Sequence, residues 1–384
     1  MAIHRISADF IHPGNGPMLP QGVLVVDENG VILAIENQRL GNEIIYKGVL
    51  CPGFINVHCH TELSYAKGLI APQKGINAFI SDLENLKKTI KEEEKIKAIE
   101  AALIQMESEG IVAVGDIMNT TMSLPVKAKS KIKFYNFIEV YGSQNASADL
   151  VFSKAKVLLS QTPLPCAITP HAPYSVSEPL FQHICSQSKD SILSIHHAES
   201  EAEIKFFEKG EGPFAIRFEN WQLPLPQHIP SLDRPLTWIM KQTSEQQNLL
   251  LIHNTFINKN DLKWVNQRKL FLGLCPKANL YIENKLPPMD LLNEFRSVIC
   301  LGTDSLASND RLSILEEMLT LKQAFNLNWQ DLIQFATYNG AKALGFENEL
   351  GTFEIGKNPG INLISFKEDQ PRITVIDTNF YSKN

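Results

Sequence analysis

The sequence predicts an α/β fold: a (β/α)8 barrel of the TIM type, with a small β-sandwich domain formed by both chain termini. Three observations carry this expectation. Eight short, nearly continuous apolar runs recur through the middle of the chain, helical stretches separate them, and both ends read as strands broken by turns. At the N-terminal end, Gly22–Val26 and Val31–Ile35 flank the turn Asp27-Glu28-Asn29-Gly30, a hairpin pattern. The eight runs are Cys51–Val57, Ile111–Ile117, Lys133–Ile138, Cys166–Thr169, Ile192–Ile195, Leu249–Ile252, Leu270–Leu274 and Val298–Gly302. Between the first two, Asp82–Glu109 is rich in Glu, Lys, Leu and Ala and reads as one amphipathic helix. At the C-terminal end, Gly351–Gly356, Ile361–Phe366 and Ile373–Ile376 again have strand character. Neither end is long enough for a comfortable domain alone, so residues 1–52 and 346–384 are expected to pair. Residues 53–345 are left for the barrel. A doubly wound open sheet would give a similar alternation, and the run count by itself does not choose between the two.

Composition narrows the class. The chain has 384 residues, with Lys plus Arg 36 against Asp plus Glu 42, a formal net charge of −6. That balance gives no reason to expect nucleic acid or an anionic membrane as a partner. Apolar residues at 44% and charged residues at 20% exclude a disordered or collagenous chain. No apolar run approaches the ~20 residues of a membrane span, and Met1–Ile6 lacks the pattern of a secretory signal. The expectation is a cytoplasmic protein with a small-molecule substrate and room for homo-oligomerisation. Six cysteines are scattered without a CxxC pair, which fits neither a disulfide framework nor a zinc finger. There is no Walker A sequence and no GxSxG elbow, and Gly14-Asn15-Gly16 lacks the third glycine of a dinucleotide loop.

A barrel makes a specific demand: catalytic groups lie at the C-terminal ends of its strands. The first run ends in His58-Cys59-His60, and residues two apart on a strand share a face, so both imidazoles can address one ion. The fifth run ends in His196-His197-Ala198-Glu199, with Glu203 one turn on, and the eighth in Gly302-Thr303-Asp304. The fourth runs into His171 and the sixth into His253. One histidine after a strand is usually a hydrogen-bonded structural residue. Five of eight strands ending in His or Asp are not explained that way.

Five segments, Pro52–His60, Thr169–Ser177, His196–Glu199, Cys275–Leu280 and Gly302–Asn309, resemble the amidohydrolase superfamily in its own order. The resemblance is to its cytosine deaminase, chlorohydrolase and nucleoside deaminase branch. It implies His58, His60, His196 and Asp304 as metal ligands, Glu199 as proton shuttle, His253 as polarising partner, and His171 facing the substrate. His197 points to the opposite strand face and is not expected to ligate. The run Glu62-Leu63-Ser64 is similar to deaminases of adenine-containing nucleosides, including aminofutalosine-type enzymes.

Three imidazoles and a carboxylate suit one divalent transition metal, zinc first and iron second. The ion lowers the pKa of bound water to roughly 7, and the resulting hydroxide attacks an amidine-like ring carbon with release of ammonia. Asp304 would both ligate and orient the nucleophile, and Glu199 would carry its proton. Binuclear relatives place a carboxylated lysine at the end of strand four. Here Ala167–His171 has none, which points to a single ion.

The expected function is therefore hydrolytic deamination of an amino-substituted heterocycle or adenine-type nucleoside. Ring dechlorination or cyclic amide hydrolysis on the same site is the alternative, and a catalytically inactive binding protein the remote one. His60-Thr61-Glu62 matches half of the cytidine-deaminase signature, but no PCxxC follows anywhere. Glu62 is instead expected in or just behind the pocket. The long segment from Glu199 to Asn248 is expected either to cover the barrel mouth as a structured loop or to pack as a peripheral excursion, and Trp221, Tyr65 and Phe79 either to stack on a ring or to join the core.

Overall fold

The eight central runs form eight strands: β1 Phe54–Cys59, β2 Ile111–Met118, β3 Lys133–Val140, β4 Cys166–Pro170, β5 Ile192–His197, β6 Asn248–His253, β7 Leu270–Leu274 and β8 Ile299–Leu301. The computed structural model describes residues 2–367 and 370–376. Strands β1–β4 pair in chain order in one parallel sheet, and β5–β8 in a second. Every residue of β1 and β5 is buried, which is why these runs are apolar throughout rather than alternating.

The two sheets approach each other along both edges. Beside β4 and β5, the His196 amide donates to the His171 carbonyl at 2.9 Å. Beside β1 and β8, Cys59 and Asp304 form a parallel bridge, and the amides of Thr303 and Asp304 both donate to the His58 carbonyl at 3.1 Å. Gly302 makes this second approach possible. A Cβ there would lie 2.9 Å from His58 Cβ and 3.0 Å from the His58 carbonyl oxygen.

Helices separate the strands. The expected single helix over Asp82–Glu109 is two: α1 Ile76–Lys87 and α2 Glu92–Ser108. The break falls on the β-branched pair Thr89-Ile90, and the acidic triplet Glu92–Glu94 starts a new helix, where its charge favours the N-terminal end of the dipole. Glu94 accepts from the Lys91 amide at 3.3 Å and fixes that start. Further helices used below are α3 Ala148–Ser160, α4 Glu201–Lys209, α5 Pro213–Asn220, α6 Pro276–Glu283, α7 Ile314–Phe325 and α8 Trp329–Gln334. The segment from Glu199 to Asn248 is thus not a single structured loop. It holds α4, α5 and the helix Pro235–Gln242, because Phe206, Phe207, Phe214 and Phe218 recur at helical spacing and bury themselves.

The first run also divides. Val49–Pro52 pairs antiparallel with Ile361–Ile364, and only Gly53 separates it from β1. The two ends of the chain share strands: Gln370–Val375, Ile361–Lys367, Val49–Pro52, Phe10–Ile11 and Leu19–Pro20 form one sheet in that order. A second sheet holds the expected hairpin, Val23–Asp27 against Ile32–Glu36, with Ile3–Ser7 beside it. Ile6, Leu24, Leu50, Phe353 and Leu363 meet in one apolar cluster drawn from both ends. Gly351–Gly356 is not a strand. Isolated bonds hold it, Phe353 N to Pro13 O at 2.9 Å and Gly356 N to Ile32 O at 2.8 Å. Residues 377–384 of the expected C-terminal portion lie outside the described residues. Among the described residues, no helix is long and apolar enough to cross a membrane.

Candidate active site

The C-terminal ends of β1, β5 and β8 bring His58, His60, His196 and Asp304 together. Donor atoms of His58, His60 and His196 lie within 4.8 Å of one another. His58 Nε2 and His60 Nε2 are 3.1 Å apart, and Asp304 Oδ1 stands 3.7 Å and 3.5 Å from them. Burial holds His58, His60 and His196 below the ordinary imidazole pKa, and for His58 and His196 the charges of neighbouring histidines add to it. Neutral imidazoles have a lone pair to give. Three of them beside one carboxylate are the donor set of a divalent transition metal, so the residues present fit such an ion. His196 Nδ1 lies 3.1 Å from the His171 carbonyl, which can only accept, so this ring offers Nε2 inward. His197 turns away from the cluster, its Nδ1 2.9 Å from Asn254 Oδ1.

Asp304 is held by its own loop. Ser308 Oγ donates to Oδ2, and Asn309 Nδ2 donates both to the Thr303 carbonyl at 3.0 Å and to buried Glu317 on α7 at 2.8 Å. Asp304, His253, Asn254 and Ala198 all have left-handed backbones, with φ of 55°, 73°, 57° and 49°. Each costs about 1–3 kcal/mol in a non-glycine residue, and here four of them cluster where the strands end.

Glu199 and His253 form a second group. Glu199 Oε1 is 3.5 Å from His253 Nε2. His253 Nδ1 is 3.0 Å from Asn279 Oδ1 on α6, and Asn279 is oriented in turn by donating to Thr255. With Nδ1 carrying the proton, Nε2 faces Glu199 as an acceptor. Burial, with the charges of Asp304 and Glu283, pushes the Glu199 carboxyl well above its usual range, whereas burial lowers His253. Burial thus disfavours the charged form of both groups, the carboxylate and the imidazolium alike. Glu203 is spent on the backbone: it accepts from the amides of Ala198 and Glu199 at 3.1 Å and 2.9 Å, fixing the turn that aims Glu199.

These groups open onto a cavity of about 560 Å³, lined among others by His60, His171, His196, Glu199, His253 and Asp304. One wall is apolar, from α1 (Ile76, Phe79, Ile80, Leu83) and α5 (Phe214, Phe218). Arg217 on α5 reaches Glu84 at 3.2 Å and Ser81 at 2.8 Å on α1, clasping the two helices together. Trp221, half exposed, lines the rim with Arg217 5.2 Å from its ring centre. His171 faces the cavity, its Nδ1 2.8 Å from Ser175, and burial pushes its pKa down to about 3.

Of two residues expected at the pocket, Glu62 stands just behind the cavity wall and Tyr65 outside it. Glu62 does not line the cavity: its carboxylate accepts from the Thr120 hydroxyl at 2.8 Å and the Asn119 and Thr120 amides at 3.2 Å, binding the loop after β2. Tyr65 is likewise outside the wall, under Lys95. Conversely, Glu139 at the end of β3 lines the cavity and went unnoticed in the sequence. The signal was there, an ionisable residue directly past an apolar run. A search for strand-terminal His and Asp passes over Glu.

The Amidohydrolase family model matches residues 49–383 of the chain. The chain is 26% identical over 348 residues to an adenosine deaminase of Helicobacter pylori, covering 88% of this chain and 83% of that one. It is 28% identical over 340 residues to an aminodeoxyfutalosine deaminase of Nitratiruptor, covering 83% and 80%. Among solved structures it superposes on Helicobacter pylori aminofutalosine deaminase in complex with methylthio-coformycin with a TM-score of 0.80. That match has 24% identity and covers 99% of this chain and 95% of the other, a likeness of fold.

Proposed function

The chain belongs to the amidohydrolase family, and from that membership we propose that it is a metal-dependent deaminase of an adenine-type nucleoside. The observation that carries the reading is the convergence, on one cavity, of a four-donor metal set with a carboxyl–imidazole pair whose pKa values burial shifts in opposite directions, the carboxyl up and the imidazole down. The names of the two curated relatives point to the same substrate class.

His58, His60, His196 and Asp304 would hold one divalent ion, with zinc the first expectation. The ion supplies Lewis acidity and a nucleophilic water at neutral pH. Glu199 holds a proton beside the reacting ring and donates it to a ring nitrogen, then carries the water's proton to the departing amine. His253, kept neutral and fixed by Asn279, orients Glu199 and accepts a hydrogen bond at Nε2. His171 faces the heterocycle from the β4 side. Helices α1 and α5 exclude bulk water with their apolar wall, and Trp221 stacks at the rim. The close approaches at Gly302 and at His171–His196 support closure of the eight strands into a (β/α)8 barrel. The shared strands and common apolar cluster support a composite β-domain of both chain ends, taking residues 1–52 and 346–384.

The test is ammonia release from metal-loaded protein with adenine nucleosides, guanine, cytosine, pterins and s-triazines, chloride being followed in parallel. Ammonia is expected from an adenine nucleoside. Chloride release or ring opening in place of ammonia overturns the reading.

A further inference from the structure

Glu139 is the one ionisable strand terminus facing the cavity that the proposed chemistry leaves unused. Its side chain is 7% exposed, and its Oε1 is buried without a hydrogen-bond partner. The nearest ionisable nitrogen is His196 Nδ1 at 3.5 Å, but the proton there is committed to the His171 carbonyl. Among the described residues, no Lys or Arg forms an ion pair with Glu139. A buried carboxyl oxygen left unmatched is costly, and its place in a cavity wall points to a partner that arrives with a ligand.

Glu139, His171 and His196 also have donor atoms within 4.8 Å of one another, which raises a second metal ion as the rival partner. The Nδ1 proton of His196 argues against it, since that nitrogen has no lone pair to offer. Position favours the substrate. Glu199 follows β5 and His253 ends β6, whereas Glu139 is the penultimate residue of β3, with β4 between. A ring presented to Glu199 therefore leaves Glu139 to the part of the molecule beyond the base. A cavity of about 560 Å³ has room for that part. The donor that a nucleoside carries away from its base is a sugar hydroxyl.

We propose that Glu139 Oε1 accepts a hydrogen bond from a hydroxyl of the substrate's sugar, so that the site selects glycosylated heterocycles over free bases and over analogues lacking that hydroxyl. This rests on the nucleoside reading above. The test compares the wild type, Glu139→Gln and Glu139→Ala on adenosine and 2′,3′-dideoxyadenosine, by kcat/KM and by binding to metal-stripped protein followed through tryptophan fluorescence. Metal content is measured in each. The wild type should prefer adenosine by roughly ten- to hundred-fold in both readouts, as loss of a hydrogen bond to a charged or buried group implies. Glu139→Ala should bring that preference to within about two-fold, with Glu139→Gln, which keeps the volume and one acceptor oxygen, between them. Equal losses on both nucleosides, or a preference untouched by the substitution, overturns the proposal. So does a second tightly bound ion that disappears with Glu139. Binding discrimination without deamination would uphold Glu139 while overturning the deaminase reading; deamination without discrimination would do the reverse.

Discussion

Asp304 and Glu199 meet the cavity from different strands and should fail in different ways. Asp304→Asn removes the only carboxylate of the four-donor set, and we expect activity to be abolished and bound metal to fall, with circular dichroism unchanged. Glu199→Gln keeps its volume but cannot carry a proton, and should lose about 10²–10⁴-fold in kcat with metal content retained. A Glu199→Gln protein that turns over at the wild-type rate would remove the proton shuttle from the mechanism. At this scale the sequence is legible where chemistry needs a rare residue type at a strand end. His58, His60, His171, His196, His253 and Asp304 all announce themselves that way. Glu62 and Glu139 show the limit, since glutamate is common and its direction depends on what it meets. Glu62 turns to the amides behind the site and Glu139 to the cavity, and nothing local distinguishes them.

Seven of the eight central runs survive into the structure to within two residues at either end, because burial on both faces leaves no alternative to an apolar sequence, while the first divides at Gly53. Helix boundaries do not, as the break at Thr89-Ile90 shows, because a cap and an acidic first turn are weaker signals than a continuous charged face. The helices of 201–242 are masked by five prolines that punctuate them rather than forbid them. One inter-element tie invites a direct measurement. Lys127, the last residue of the short helix Leu124–Lys127 between β2 and β3, is buried with its Nζ 2.6 Å from Asp116 on β2 and 2.6 Å from Asn136 on β3. Asp116 accepts in turn from the amide and hydroxyl of Thr61, the neighbour of His60, at 2.8 Å and 2.5 Å. Lys127→Met should cost about 3–5 kcal/mol by stranding a buried carboxylate, measured by chemical denaturation. Pairing it with Asp116→Asn should recover part of that loss. Additive losses in the double variant would show that the two residues act separately.

At the scale of the whole molecule, the terminal sheets are fastened to the helices by His12. Its Nε2 donates to the Gln330 carbonyl on α8 at 3.0 Å, and its Nδ1 accepts from the Gly14 amide at 3.0 Å. The bond accepted at Nδ1 needs the neutral ring, and burial lowers its pKa to about 4. Since the unfolded chain takes up this proton near pH 6.5 and the folded one does not, the contribution is complete above 6.5. It fades as pH falls toward 4, by about 3 kcal/mol in all. Stability measured against pH should therefore fall less steeply over that window in His12→Asn than in the wild type, although the variant starts lower at pH 7. Parallel curves would exclude His12 as the source. The join at Gly53 has a consequence in time rather than space. Val49–Pro52 runs directly into β1 with its histidines, yet its partner strand begins at Ile361 and the fourth donor is Asp304. On the ribosome, the first two donors emerge some 250 residues before the carboxylate that completes them, and about 300 before the strand that sets their register. A nascent chain therefore carries His58 and His60 through most of its synthesis without either Asp304 or the strand that pairs with Val49–Pro52.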